Sequence, residues 1–258
     1  MRRAPALAAA LALAAAPALA SAGCGADAGG SGGAPRLVVS AAASMTEALT
    51  ACSPDFDRAT VRLQLAGSDE LAAQIRQGVK PDVYAAANTR LPDELHQDGL
   101  LSRPVEFATN ELVLAVPGGS EIDSVDDLAD DGVKLAIGSE SVPIGAYTRE
   151  TLALLPPAQE RAILANVRSN EPDVKGIVGK LTQGAADAGF VYVTDVNATD
   201  DELEAIELPR QLEPRVAYGA GVVKGAKQRA EARAFVDGLL EGACADALRA
   251  AGFGPPPR

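Results

Sequence analysis

The chain is short of the residues on which most enzyme and metal chemistry depends. It holds one histidine and three cysteines in 258 residues, and its 23 basic side chains are outnumbered by 35 acidic ones. With one imidazole and no cysteine cluster, a metal centre of the usual histidine or cysteine type has no ligand set. His96 lies in "RLPDELHQDG", which reads as a polar helix end, so the only imidazole is expected to be a solvated surface group. No GxSxG elbow between a strand and a helix, GxxxxGK[ST] loop or HExxH pair occurs, and these are the patterns that would announce a nucleophile, a phosphate cradle or a zinc protease. Carboxylates are abundant but spread along the chain, with no pair set apart as acid and base. An enzyme is therefore not expected. A formal charge of −12 argues against a nucleic-acid partner, while leaving open a local site for a small anion.

What is present begins with an export signal. Residues 1–23 start with Arg2 and Arg3 and continue as an alanine and leucine run broken by Pro17; such a segment is removed on secretion. The run is too poor in leucine for a good membrane helix, although an uncleaved anchor is the alternative. "SAGC" then ends in Cys24, followed by "GADAGGSGGAP", a flexible glycine and serine tether over 24–34. The "SAGC" box resembles that of bacterial lipoproteins, which implies acylation of Cys24, with Ser21 standing where leucine is usual. A lipid-anchored extracytoplasmic protein is expected, with ordinary secretion as the alternative.

The remaining cysteines, Cys52 and Cys244, fall on apolar stripes: Met45, Ala48, Leu49 and Cys52 on one, Val236, Leu240, Cys244 and Leu248 on the other. Two separate buried thiols would satisfy that pattern. The oxidising compartment and the even count favour a bridge, which would join the two ends of the folded chain.

Past the tether, apolar strands alternate with amphipathic helices, the pattern of an α/β fold. Strands are expected at "RLVVSA", "TVRLQLA", "PDVYAAA", "ELVLAVP", "VKLAIGS", "AGFVYVTD" and "RVAYGAGVV". Helices are expected at "DELAAQIRQG", "GAYTRETLALL", "PDVKGIVGKLTQG" and, as one long element, "AKQRAEARAFVDGLLEGACADALRAAG". The length is enough for one large domain or two modest lobes.

In open α/β sheets, ligands sit beyond the carboxyl ends of strands, at helix starts whose N–H groups are free. Four junctions are suitable: "SAAAS" ending in Ser44, "LAGS" ending in Ser68, "IGSESVPIG", and "NEPDV", which places Pro172 in a first helical turn and leaves the N–H of Val174 free. Serines at such places are ordinarily N-caps. Converging on one cleft, the hydroxyls and helix starts would instead hold an anion without lysine or arginine, and the alanines before Ser44 would let it approach the backbone.

Taken in order, "VVSAAASMTEAL", "LAGSDELAAQIRQGVKPDVYAAAN", "VPIGAYTRETL" and "NEPDVKGIVGKLTQGAADAGFVYVTD" resemble the extracytoplasmic molybdate-binding proteins of bacterial ABC importers, over nearly all of residues 36–253. The resemblance implies a two-lobed periplasmic-binding-protein fold of type II, with two crossing segments and a ligand cleft. Lobe one would comprise 35–113 and 217–258, and lobe two 114–216. It also implies capture of molybdate or tungstate through the hydroxyls of Ser44 and Ser68, the main-chain N–H groups of Ile144 and Val174, and the phenol of Tyr192. No cofactor or direct metal ligand is implied. The partners would be the oxyanion and a membrane permease, served by a monomer. Another oxyanion or a small organic acid is the alternative ligand. The sequence departs from the family in a short first helix, which Cys52 is placed to fasten, and in Asp69 and Glu70, which would repel a dianion unless they face solvent.

Overall fold

A computed structural model describes residues 34–256. The signal at 1–23, Cys24 and all but the last residue of the tether lie outside the described residues. The first half of the chain runs β1 (Arg36–Ala42), α1 (Thr46–Cys52), β2 (Thr60–Ala66), α2 (Ser68–Arg76), β3 (Val83–Ala86), α3 (Arg90–Gln97), β4 (Val105–Asn110), β5 (Leu112–Pro117), β6 (Leu135–Gly138) and α4 (Pro143–Leu152). It continues as α5 (Pro157–Ala165), β7 (Val167–Glu171), α6 (Val174–Thr182), β8 (Ala188–Tyr192), α7 (Val193–Asn197), β9 (Leu203–Glu207), β10 (Val216–Val222), α8 (Arg229–Gly238) and α9 (Ala243–Ala250).

Two five-stranded sheets result, in the orders β2-β1-β3-β10-β4 and β7-β6-β8-β5-β9. β1 pairs in parallel with β2 and β3, and β6 with β7 and β8. The outgoing strands β4, β5, β9 and β10 form the antiparallel portions. Central strands are apolar on both faces, as a sheet covered by helices requires: β3, β5 (up to Pro117), β6 and β8 are buried. The chain crosses from the first sheet to the second between Asn110 and Leu112, and returns through 208–215 into Val216, which pairs with Asn110. The two crossing segments therefore meet side by side.

Three strands not expected from sequence, β4, β7 and β9, are all sheet edges. Their faces are half polar, as in "VRSNE" and "LEAIE", so they lack the apolar run that marks a central strand. The single long C-terminal helix is also corrected. It is two helices, because Gly242 adopts φ 103°, a left-handed conformation that ends helical hydrogen bonding and suits glycine alone. Leu240, expected on the buried stripe, falls in the break and is exposed, while Val236, Cys244 and Leu248 are buried.

Cys52 at the end of α1 and Cys244 in α9 form a disulfide. It closes a loop of 192 residues in sequence separation, whose chain-entropy contribution has a ceiling of about 5 kcal/mol.

Candidate functional site

Six strands of the two sheets, β1, β2, β3, β6, β7 and β8, bring their ends or following loops to one place. There, a cavity of about 20 Å³ is lined by Ala42, Ala43, Ser44, Ala66, Gly67, Ser68, Ala87, Val142, Pro143, Ile144, Asp173, Val174 and Tyr192. A single water needs roughly 10–15 Å³, so the space suits a ligand of very few heavy atoms. All five residues singled out in sequence for anion binding, Ser44, Ser68, Ile144, Val174 and Tyr192, are brought together in this lining.

Each reaches the cavity for a local reason. Ser44 lies in a short 3-10 turn, Ala43–Met45, between β1 and α1. It is not the N-cap expected from sequence, since its hydroxyl bonds Tyr218 Oη at 2.9 Å instead. Ser68 is likewise no cap. It is the first residue of α2, with Gly67 as cap, and its Oγ accepts from the N–H of Ala87 at 3.1 Å. Glycine is required at 67 by a close approach: a Cβ there would stand 2.4 Å from the Pro172 carbonyl oxygen of the facing lobe.

α4 starts at Pro143, which suits the first helical position because it has no N–H to leave unpaired. Ile144 follows in that first turn, where main-chain N–H groups have no partner within the helix. α6 starts at Val174, capped by Asp173, whose carboxylate accepts from the Gly176 N–H at 3.0 Å. Pro172 consequently precedes the cap and does not occupy the first turn, because Asp173 supplies the side chain that opens the helix. Tyr192 ends β8 and is fully buried, yet its Oη has no hydrogen-bond partner among the described residues. Burial pushes its phenol well above the ordinary value, so it stays protonated and a donor.

The acids flagged in sequence divide. Glu70 is exposed and Asp69 half-buried, and neither is in the cavity lining. His96 is exposed at the end of α3, with Nδ1 3.1 Å from the Leu101 carbonyl oxygen. Among the described residues, no lysine, arginine or histidine lines the cavity.

Residues that sequence reasoning missed stand behind this lining. Tyr218 on β10 touches Ser44, and Asn110 at the end of β4 bonds both Tyr218 and Thr194. No motif marks them; only their positions on the crossing segments do, and those depend on the edge strand β4. Near the cavity mouth, Lys175 of α6 meets Glu47 of α1 at 2.8 Å and Asp195 at 3.1 Å, joining one lobe to the other. Burial opposes the Lys175 charge, but Asp195 and Glu47 more than offset it and raise its affinity for the proton. Burial pushes the Asp195 carboxyl up to about 7, against the opposing pull of Lys175.

Two α/β lobes joined by paired crossing segments, with a small cavity lined by both, are the arrangement of a protein that holds a small solute between its lobes. The chain belongs to the bacterial extracellular solute-binding proteins, whose family model matches residues 37–254. It is thus an extracytoplasmic binding protein of the ABC-importer type and not an enzyme. It is 34% identical over 231 residues to the molybdate-binding protein ModA of Mycobacterium tuberculosis, spanning 87% of this chain and 86% of that one. Among solved structures, the periplasmic molybdate-binding protein of Azotobacter vinelandii superposes with a TM-score of 0.76 at 21% identity, over 86% of this chain and all of that one. The sulfate-binding protein SubI of Mycobacterium tuberculosis reaches the same TM-score at 14% identity, over 86% of this chain and 87% of that one. At those identities the likeness is one of fold, and the fold does not choose the anion.

Proposed function

We propose that this protein captures molybdate or tungstate in the cavity between its lobes and presents the closed, loaded form to the permease of an ABC importer. One observation carries the reading: a small cavity between the lobes that offers hydroxyl and helix-start donors and, among the described residues, no cation, its one carboxylate, Asp173, being engaged by the Gly176 N–H. Ser68 Oγ already accepts from a backbone N–H, so its hydrogen is left for a ligand. The Tyr192 phenol stands protonated and unpartnered, and the starts of α2, α4 and α6 add N–H groups with helix dipoles behind them. A ligand that presents only acceptors, a fully deprotonated oxyanion, fits such a site. One carrying a hydrogen would set donor against donor.

Bonds to a charged acceptor contribute about 1.5–3 kcal/mol each, so several converging from both lobes can replace the water lost by a dianion. Discrimination from sulfate, equal in charge and shape but smaller, would come from hydrogen bonds that a rigid lining cannot shorten to meet it. The 34% identity to a molybdate-binding protein favours the larger anions. We place the binding residues at Ser44, Ser68, Ile144, Val174 and Tyr192, and the membrane attachment at an acylated Cys24.

Calorimetric titration of the mature protein with molybdate, tungstate and sulfate tests the reading. The first two are expected to bind and to raise the melting temperature in step with occupancy. Tight sulfate binding with none of molybdate or tungstate would reassign the site. The anchor is tested separately by mass spectrometry, an unmodified mature N-terminus being the refuting result.

A further inference from the structure

The hydroxyl of Ser44 has a polarity, and residues outside the cavity set it. Asn110 Oδ1 accepts from the backbone N–H of Glu111 at 2.9 Å. A backbone nitrogen only donates, so this bond decides which end of the amide is oxygen. Nδ2 is then the end facing Thr194 Oγ1 at 2.9 Å and Tyr218 Oη at 3.3 Å. An amide nitrogen also only donates, so Tyr218 Oη accepts from Asn110. The phenol's one hydrogen goes to its other neighbour, Ser44 Oγ, at 2.9 Å. The reverse arrangement would leave the Tyr218 hydrogen unpaired at a fully buried site, which is costly. Ser44 Oγ is therefore an acceptor from behind, and its hydrogen is left for the cavity.

We infer that Asn110 is a positioning residue that, through Tyr218, holds the Ser44 hydroxyl as a donor toward the ligand and so selects for anions that present only acceptors. The inference rests on the oxyanion reading above and deepens it. Ser68 gains the same polarity directly from the Ala87 N–H. Ser44 has to borrow it, from a residue on the first crossing segment whose other bond reaches Thr194, two residues beyond Tyr192 in the second lobe. The relay thus sets the donor of one lobe from a contact that spans both.

Asn110→Asp tests this. A carboxylate in place of Nδ2 accepts from Tyr218, Tyr218 then accepts from Ser44, and the serine presents a lone pair to the ligand. Molybdate affinity is measured for the wild type, Asn110→Asp, Ser44→Ala and the double variant. The new charge would repel an anion in either background, so the double-mutant cycle isolates what travels through Ser44. The loss caused by Asn110→Asp is expected to be about tenfold or more greater with Ser44 present than with Ala, the span of one charge-assisted bond.

Adding Tyr218→Phe to Asn110→Asp cuts the relay and is expected to restore part of the affinity, which a merely structural role for Asn110 would not do. Equal losses in both serine backgrounds overturn the inference while leaving the oxyanion reading intact. A wild type that binds neither molybdate nor tungstate overturns both. Should Asn110→Asp fail to fold, Tyr218→Phe alone decides. It leaves the Ser44 hydrogen free for the ligand and is expected to cost less affinity than Ser44→Ala; an equal or larger cost overturns the relay.

Discussion

Replacing Tyr192 by phenylalanine removes one oxygen and should move affinity and stability in opposite directions. In the closed form the Tyr192 Oη is buried with no partner among the described residues. An unsatisfied buried hydroxyl costs about 1–3 kcal/mol. That cost falls on closing without a ligand, since opening the lobes returns the phenol to water. A bound dianion reverses the sign: the same hydroxyl would donate a charge-assisted bond of about 1.5–3 kcal/mol, equivalent to roughly 10- to 150-fold in dissociation constant. Tyr192→Phe should therefore weaken molybdate by that factor, while the melting temperature of the ligand-free protein stays level or rises. Small-angle scattering should find the ligand-free variant at least as closed as the wild type. Calorimetry and thermal melts on one preparation decide the matter. Unchanged affinity with a lowered melting temperature would show that Tyr192 is only a core aromatic, packed edge-on against Tyr218, and would refute the reasoning.

Other perturbations follow from the same geometry. Gly67→Ala keeps an allowed backbone, φ −57° and ψ 135°, but sets a Cβ 2.4 Å from the Pro172 oxygen across the cleft. Overpacking of this kind costs about 1–3 kcal/mol, and because it arises only on closure, titration should show weaker binding at unchanged apo stability. Asp195, pushed up to about 7 by burial, binds its proton more tightly in the folded chain than in the unfolded one. Its contribution is complete below about pH 4 and is lost as pH rises through 7, by up to about 4 kcal/mol. Denaturant melts at several pH values should find Asp195→Asn gaining on the wild type as pH increases; a constant difference would count against it. Serine at both Cys52 and Cys244 should lower stability by about 2–5 kcal/mol, read from chemical denaturation without reductant.

The sequence revealed the parts of the fold that repeat a strong pattern. Every central strand was visible as an apolar run, and β1, β6 and β8 bring Ser44, Ile144 and Tyr192 to the lining, whereas Ser68 and Val174 follow the edge strands β2 and β7. The edge strands β4, β7 and β9 were missed because one face of each meets solvent, and alternation over five or six residues is easily lost among loops. Missing β4 hid Asn110, and Tyr218 read as one more apolar residue of β10, so the residues behind the cavity were invisible even though the cavity was not. For the serines the sequence left capping beside anion binding, because cap and ligand positions share a residue type at a strand-to-helix junction. Only coordinates separate a hydroxyl turned back on its helix from one turned on Tyr218 or on the Ala87 N–H.

The disulfide between α1 and α9 gives the chain a ring in which the whole second lobe is an inserted arc. Any single cleavage between Cys52 and Cys244 leaves one covalent molecule, with the first lobe's two chain segments still fastened together. A protein working outside the cytoplasm meets proteases that its cell does not control. A nick in an exposed loop of the second lobe, such as the one around Gly119, would then be an injury the binding cleft can survive.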